Sequence, residues 1–169
     1  MASIGQEVSS TLAVSITPSK PGVYAISGAA TTYSVGDIQY FINGKAYLKA
    51  AATGETTPTT DSAGAVLENG TTAGLSLATG YGTVVVWGVN AAGTVSIYRG
   101  ETVALDSSNA FSRAPRFPSI PEGICPVTYT THINYSGSAF VIGTTNWNTG
   151  STVHATQAIG FLPSRPQVA

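Results

Sequence analysis

The sequence predicts an all-β protein, an antiparallel β-sandwich or barrel with extended N- and C-terminal arms, and three observations carry that reading. Alternating apolar runs rich in β-branched and aromatic residues recur along the chain, whereas the 3.6-residue period of an amphipathic helix does not. Asn-Gly and Asn-Ala-Ala-Gly stand between such runs at hairpin spacing. Only 9% of the 169 residues are charged, against ~25% in an ordinary soluble domain, while 43% are hydrophobic and 19 are Gly.

The elements follow in order. Residues 1–10 read as an N-terminal arm and residues 11–160 as a single β domain. Within it, residues 11–16 alternate Leu12, Val14 and Ile16 to one side before Pro18 closes the run. The run Ile38–Ile42, then Asn43-Gly44, then Lys45–Lys49 is a hairpin, because Asn-Gly supplies the two positive-φ positions of a type I′ turn. Residues 83–89 and 94–99 form a second hairpin across Asn90-Ala91-Ala92-Gly93, a type I turn pattern. Tyr81, Thr83, Val85, Trp87 and Val89 share one face of its first strand, and Val84 and Val86 make the other face apolar too. That strand is expected to be central and covered on both sides.

Between the hairpins, residues 53–80 lack periodicity and read as a long Gly/Thr-rich loop, with short strands or a helical turn at 65–67 or 75–78. Residues 111–126 hold four prolines. Proline gives no ladder hydrogen bond and sets φ near −65°, so this stretch is expected to be a stiff extended strap that excludes a central strand. Strands resume at 127–133, 139–145 and 152–158, and residues 161–169 form a C-terminal tail.

Composition narrows the function classes. The formal net charge is −1, which provides no electrostatic footprint for nucleic acid or an anionic membrane, and no apolar stretch reaches the ~18 residues of a spanning helix. The N-terminal segment lacks a basic start and an apolar run, so the chain is expected to be made and folded in the cytoplasm. One cysteine permits no internal disulfide. Few charges and a net charge near zero favour association, so the chain is expected to be an assembly subunit.

No constellation for catalysis, metal or cofactor emerges, and the expectation is a non-enzyme with no cofactor. His132 and His154 lie 22 residues apart without nearby carboxylates or thiolates, and read as surface or semi-buried histidines. No nucleophile elbow occurs. Cys125, without a basic neighbour, reads as a buried inert thiol. Gly70 to Gly74 and Gly80 to Gly82 lack the Lys of a phosphate loop and read as loop glycines. Asn69-Gly-Thr and Asn134-Tyr-Ser are glycosylation sequons only in a secreted eukaryotic chain. Trp87 belongs to a core face, while Trp147, between two asparagines, is open between core and a sugar-stacking platform. Phe111, Arg113, Arg116 and Phe117 on the strap, with Trp147 and with Arg165 in the tail, are the candidate interface residues, since aromatic rings and Arg anchor interfaces. A solvated proline loop is the competing reading of the strap.

Several segments also carry a resemblance. The run Val-Trp-Gly-Val-Asn-Ala-Ala-Gly-Thr (86–94), the strap Ala-Pro-Arg-Phe-Pro-Ser-Ile-Pro (114–121) with Cys125-Pro126 beyond it, Gly-Thr-Thr-Asn-Trp (143–147) and Pro-Ser-Arg-Pro-Gln-Val (163–168) resemble small β-rich virion proteins of tailed bacteriophages, notably head decoration or cement proteins. The likeness extends from residue 38 to the C-terminus. It implies a structural subunit without catalytic residues, often a homotrimer, on the outer capsid surface, where it binds the major capsid protein and clamps neighbouring copies against internal pressure. A tail component, or a fibre module that binds carbohydrate or a host receptor, draws on the same composition.

Overall fold

The structure is a computed structural model, and it describes residues 25–26, 31–58, 76–149 and 152–158, with side chains for 31–58 and 76–149. Among the described residues all regular structure is strand: β1 (Ala25–Ile26), β2 (Thr32–Val35), β3 (Ile38–Ile42), β4 (Lys45–Lys49), β5 (Ala52–Thr56), β6 (Ser76–Leu77), β7 (Tyr81–Asn90), β8 (Val95–Ala104), β9 (Ile124–Asn134), β10 (Phe140–Val141) and β11 (Thr152–Ala158). They form a four-stranded sheet in the order β11-β9-β7-β8, a three-stranded sheet β1-β2-β5, and the pairs β3-β4 and β10-β6. Every pairing is antiparallel. Several packed antiparallel sheets suit a sandwich, and they do not close into a barrel.

Both predicted hairpins are present. Asn43 and Gly44 take φ of 51° and 76°, as a type I′ turn requires. In the second turn the Asn90 side-chain oxygen accepts from the N–H groups of Ala92 and Thr94 at 2.9 and 3.0 Å, and Gly93 supplies φ of 79°. Strand β7 lies between β8 and β9. Its residues Gly82 to Val89 are all buried, so the expected two-sided strand is observed. Val85, Trp87 and Val89 join a large core with Tyr33, Val35, Ile38, Tyr40, Ile42 and Phe140. Val84 and Val86 face the other way, with Tyr98 and Tyr129.

Two β-bulges shape the four-stranded sheet. On β9, Trp87 pairs with Thr128 but Gly88 with Pro126, which leaves Val127 as the extra residue. This corrects the strap boundary: the strand begins at Ile124 and runs through Pro126, because a bulge removes the ladder position that needs a proline N–H. The extra residue also inverts the alternation. Cys125 and Val127 face the large core, but so do Thr128 and Thr130, which pair with Trp87 and Val85. Tyr129 turns to the opposite face. On β8, Thr102 pairs with Thr83 and Arg99 with Val85, so Gly100 and Glu101 together oppose Val84.

Two further expectations change. Residues 53–56, assigned to the long loop, belong to strand β5, which pairs with β2. Four of its five residues are exposed, and an exposed strand has no apolar alternation to betray it. Strand β6 falls at the expected 75–78 position. Residues 139–145 form a strand only at Phe140–Val141. Beyond it the Val141 carbonyl accepts from the N–H groups of Thr144 and Thr145 at 3.0 and 2.8 Å, and Gly143 at φ 78° turns the chain. The arm 1–10, the strand expected at 11–16, residues 59–75 and the tail 161–169 lie outside the described residues.

Candidate functional site

The strap builds the most distinctive surface of the chain, and it is assembled around one carboxylate. A bulge leaves a backbone N–H outside the ladder, and here the N–H of Glu101 donates to the Arg116 carbonyl at 3.0 Å. The Glu101 carboxylate accepts in return from the Arg116 N–H at 3.1 Å. It also accepts from both terminal nitrogens of Arg113, through Nη1 to Oε2 at 2.7 Å and Nη2 to Oε1. The guanidinium of Arg113 holds the Glu101 carboxyl below its ordinary value, helped by the Arg116 N–H and opposed by partial burial. Gly100 is part of the same contact. A Cβ there would overlap the Arg116 carbonyl oxygen and stand 2.6 Å from a Val84 methyl, so a side chain would lift the strap off the sheet.

From that hub the strap spreads over the second face of the sheet. Phe117 meets Tyr129 edge-on, with ring centroids 5.1 Å apart, and Phe117, Ile120 and Ile124 pack on Val84, Val86, Tyr98 and Tyr129. At the start of the strap, Leu105 and Phe111 form an isolated bridge, the Ser112 hydroxyl donates to the Ala104 carbonyl at 2.7 Å, and the Phe111 ring occupies the space a Cβ on Gly82 would take. The strap is therefore a covering layer, and the solvated-loop reading does not describe it.

The candidate interface residues separate accordingly. Phe111 and Phe117 are half-buried, while Arg113 and Arg116 are exposed along the strap. Trp147 departs from the expectation of an interface ring. It is 4% exposed in the core on the opposite face of the sheet, and its indole N–H donates to the Thr32 carbonyl at 2.9 Å. Arg165 lies outside the described residues.

His132 also departs from expectation, being fully buried rather than surface or semi-buried. Its Nε2 lies 2.6 Å from the Thr130 hydroxyl, which accepts from the Trp87 indole at 3.0 Å. Its ring stacks on Trp147 at 5.8 Å and on Phe140 at 6.3 Å. The bulge at Val127 sets the parity that carries Thr130 and His132 inward, and Pro126 inside a β-like run is the sequence signal that could have disclosed it. The backbone of His154 pairs with that of His132. Among the described residues no group of three His, Cys, Asp or Glu side chains could hold a metal ion. Cys125 is buried, as expected. The Asn134 sequon is closed in this fold, since its amide nitrogen is buried and donates to the carbonyls of Leu77 and Ser138, each at 3.0 Å. The large apolar side chains left exposed among the described residues are Leu48, Tyr81 and Tyr135.

Comparison with known protein families, curated proteins and solved structures found no match.

Proposed function

We propose that this protein is a structural virion subunit that attaches to the outside of a tailed-bacteriophage head and joins neighbouring copies of the major capsid protein. The observation that supports this reading most is the strap. Its backbone is hydrogen-bonded to the N–H and carboxylate of Glu101, and the Arg116 side chain stands exposed on it. A docking side chain on a backbone already ordered loses little conformational freedom on contact, which favours attachment. The low charge of the chain agrees, because interfaces made from apolar and backbone contacts weaken little when salt screens charges. The subunit acts as a homotrimer, without catalysis or cofactor.

A carbohydrate-binding tail or fibre module is the alternative, and it has less support. Both tryptophans, the best stacking rings for a sugar, lie inside the core. The test is the native mass of the isolated protein together with its copy number in purified phage particles. Trimers in solution, or on heads at a fixed ratio to the capsid protein, bear the proposal out. A protein found only in tails, or monomeric both free and on heads, overturns it.

A further inference from the structure

Among the described residues, strand β4 is an open edge with a defined charge pattern. Among them it pairs with β3 alone. The closing pair of a two-residue hairpin is hydrogen-bonded, and bonded and non-bonded pairs then alternate, so the N–H and C=O groups of Ala46 and Leu48 point away from β3. Leu48, at 65% exposure, is the most exposed large apolar side chain described, and Ala46 beside it is exposed as well. Lys45, Tyr47 and Lys49 share the other face, with the Lys45 ammonium 5.4 Å from the centre of the Tyr47 ring. Neither lysine makes an ion pair among the described residues. Asp37, at the foot of the hairpin, accepts from the Ala51 N–H at 2.8 Å.

An unpaired edge is a template for a further strand, and the charges select which one. Two copies of β4 paired antiparallel about Tyr47 would set each Lys45 against the other copy's Lys49, and like charges directly opposite destabilise a pair. A strand with carboxylates four residues apart would place both against the lysines, and its intervening apolar side chain would cover Leu48. We propose that the β4 edge binds an extended acidic segment of another protein by strand addition, with Lys45 and Lys49 reading its carboxylates and Leu48 its apolar residue. This edge lies on the opposite side of the four-stranded sheet from the strap, and its test needs no capsid.

The probes are two end-blocked peptides, Glu-Val-Thr-Val-Glu and its counterpart with Lys at both ends, titrated into the full chain and followed by backbone amide shifts. The acidic peptide should shift residues 45–49 and bind more tightly than the basic one. The double variant Lys45→Glu/Lys49→Glu should reverse the order, by roughly tenfold for the two charge pairs together. Equal binding of the two peptides, shifts elsewhere, no binding, or a peptide-free dimer through residues 45–49 would each overturn the proposal.

Discussion

The two faces of the β11-β9-β7-β8 sheet are covered by different means. On one, the covering chain is itself paired: β2 with β5 and β1, β3 with β4, β6 with β10. Much of its backbone hydrogen bonding lies within those ladders, and its inward side chains Tyr33, Tyr40 and Phe140 pack with Trp147 and with Trp87 of β7 in one core. On the other, the cover is a strap of prolines with no ladder of its own. Its start ties to the sheet through the Leu105–Phe111 bridge and the Ser112–Ala104 bond, and its middle through Glu101. The strand layer is held together by many ladder bonds of its own, whereas the strap is held by a few bonds, at its start and at one bulge. The strap face is therefore expected to be the weaker of the two and the one that opens first.

The largest expected effect belongs to the ladder-covered face. Trp147→Ala removes a buried ring stacked on His132 and tilted against Phe140, and should cost about 3–5 kcal/mol by chemical denaturation. A loss below about 1 kcal/mol would mean that this face is not the main core.

Gly100→Ala comes next. The new Cβ meets the Arg116 carbonyl and Val84, and an overpacked contact of this kind costs about 1–3 kcal/mol. Hydrogen exchange should show lost protection at Glu101, whose N–H bonds the strap, with the paired β3-β4 hairpin unchanged. Protection lost equally on both faces would erase the distinction between them.

Glu101→Gln removes the carboxylate that gathers the strap and should cost about 1 kcal/mol, as partly exposed ion pairs do. The sign of its pH dependence follows from the depressed Glu101 value. The stabilisation is present above the ordinary carboxyl value of 4.5 and is lost as pH falls through the lower folded value. Acid should thus loosen the strap in the native chain, and the Gln variant should lack that step. An identical acid profile for both proteins would remove Glu101 from the latch.

The smallest effect on stability is expected for Arg116→Ala, within about 0.5 kcal/mol for an exposed side chain. Attachment to particles should nonetheless weaken by about 1–3 kcal/mol if Arg116 anchors the interface. Phe117→Ala sharpens the contrast: its ring packs on Tyr129, so it should lower the melting temperature as well as occupancy. Unchanged occupancy for both variants would leave the strap as a cover only.

Local chemistry made much of the fold legible. Asn43-Gly44 and Asn90 through Gly93 specify hairpins because turn conformation depends on the turn residues alone. The two apolar faces of β7 announce a central strand because the side-chain period in a strand is two. The chemistry-bearing side chains were less legible. Trp147 between two asparagines looks exposed until β2 and Phe140 close over it, and His132 looks peripheral until the bulge at Val127 turns it inward. Both outcomes depend on partners distant in sequence.

The sequence alone therefore determined the all-β class, both hairpins and the two-sided β7, each of which rests on the conformational preferences of a few adjacent residues. The tertiary structure decided where the strap lies, that Gly100 and Glu101 receive it, and which face of β9 is buried. A bulge shifts register by a single residue, and its position is set by the competing fit of three strands, which no local stretch of one of them contains.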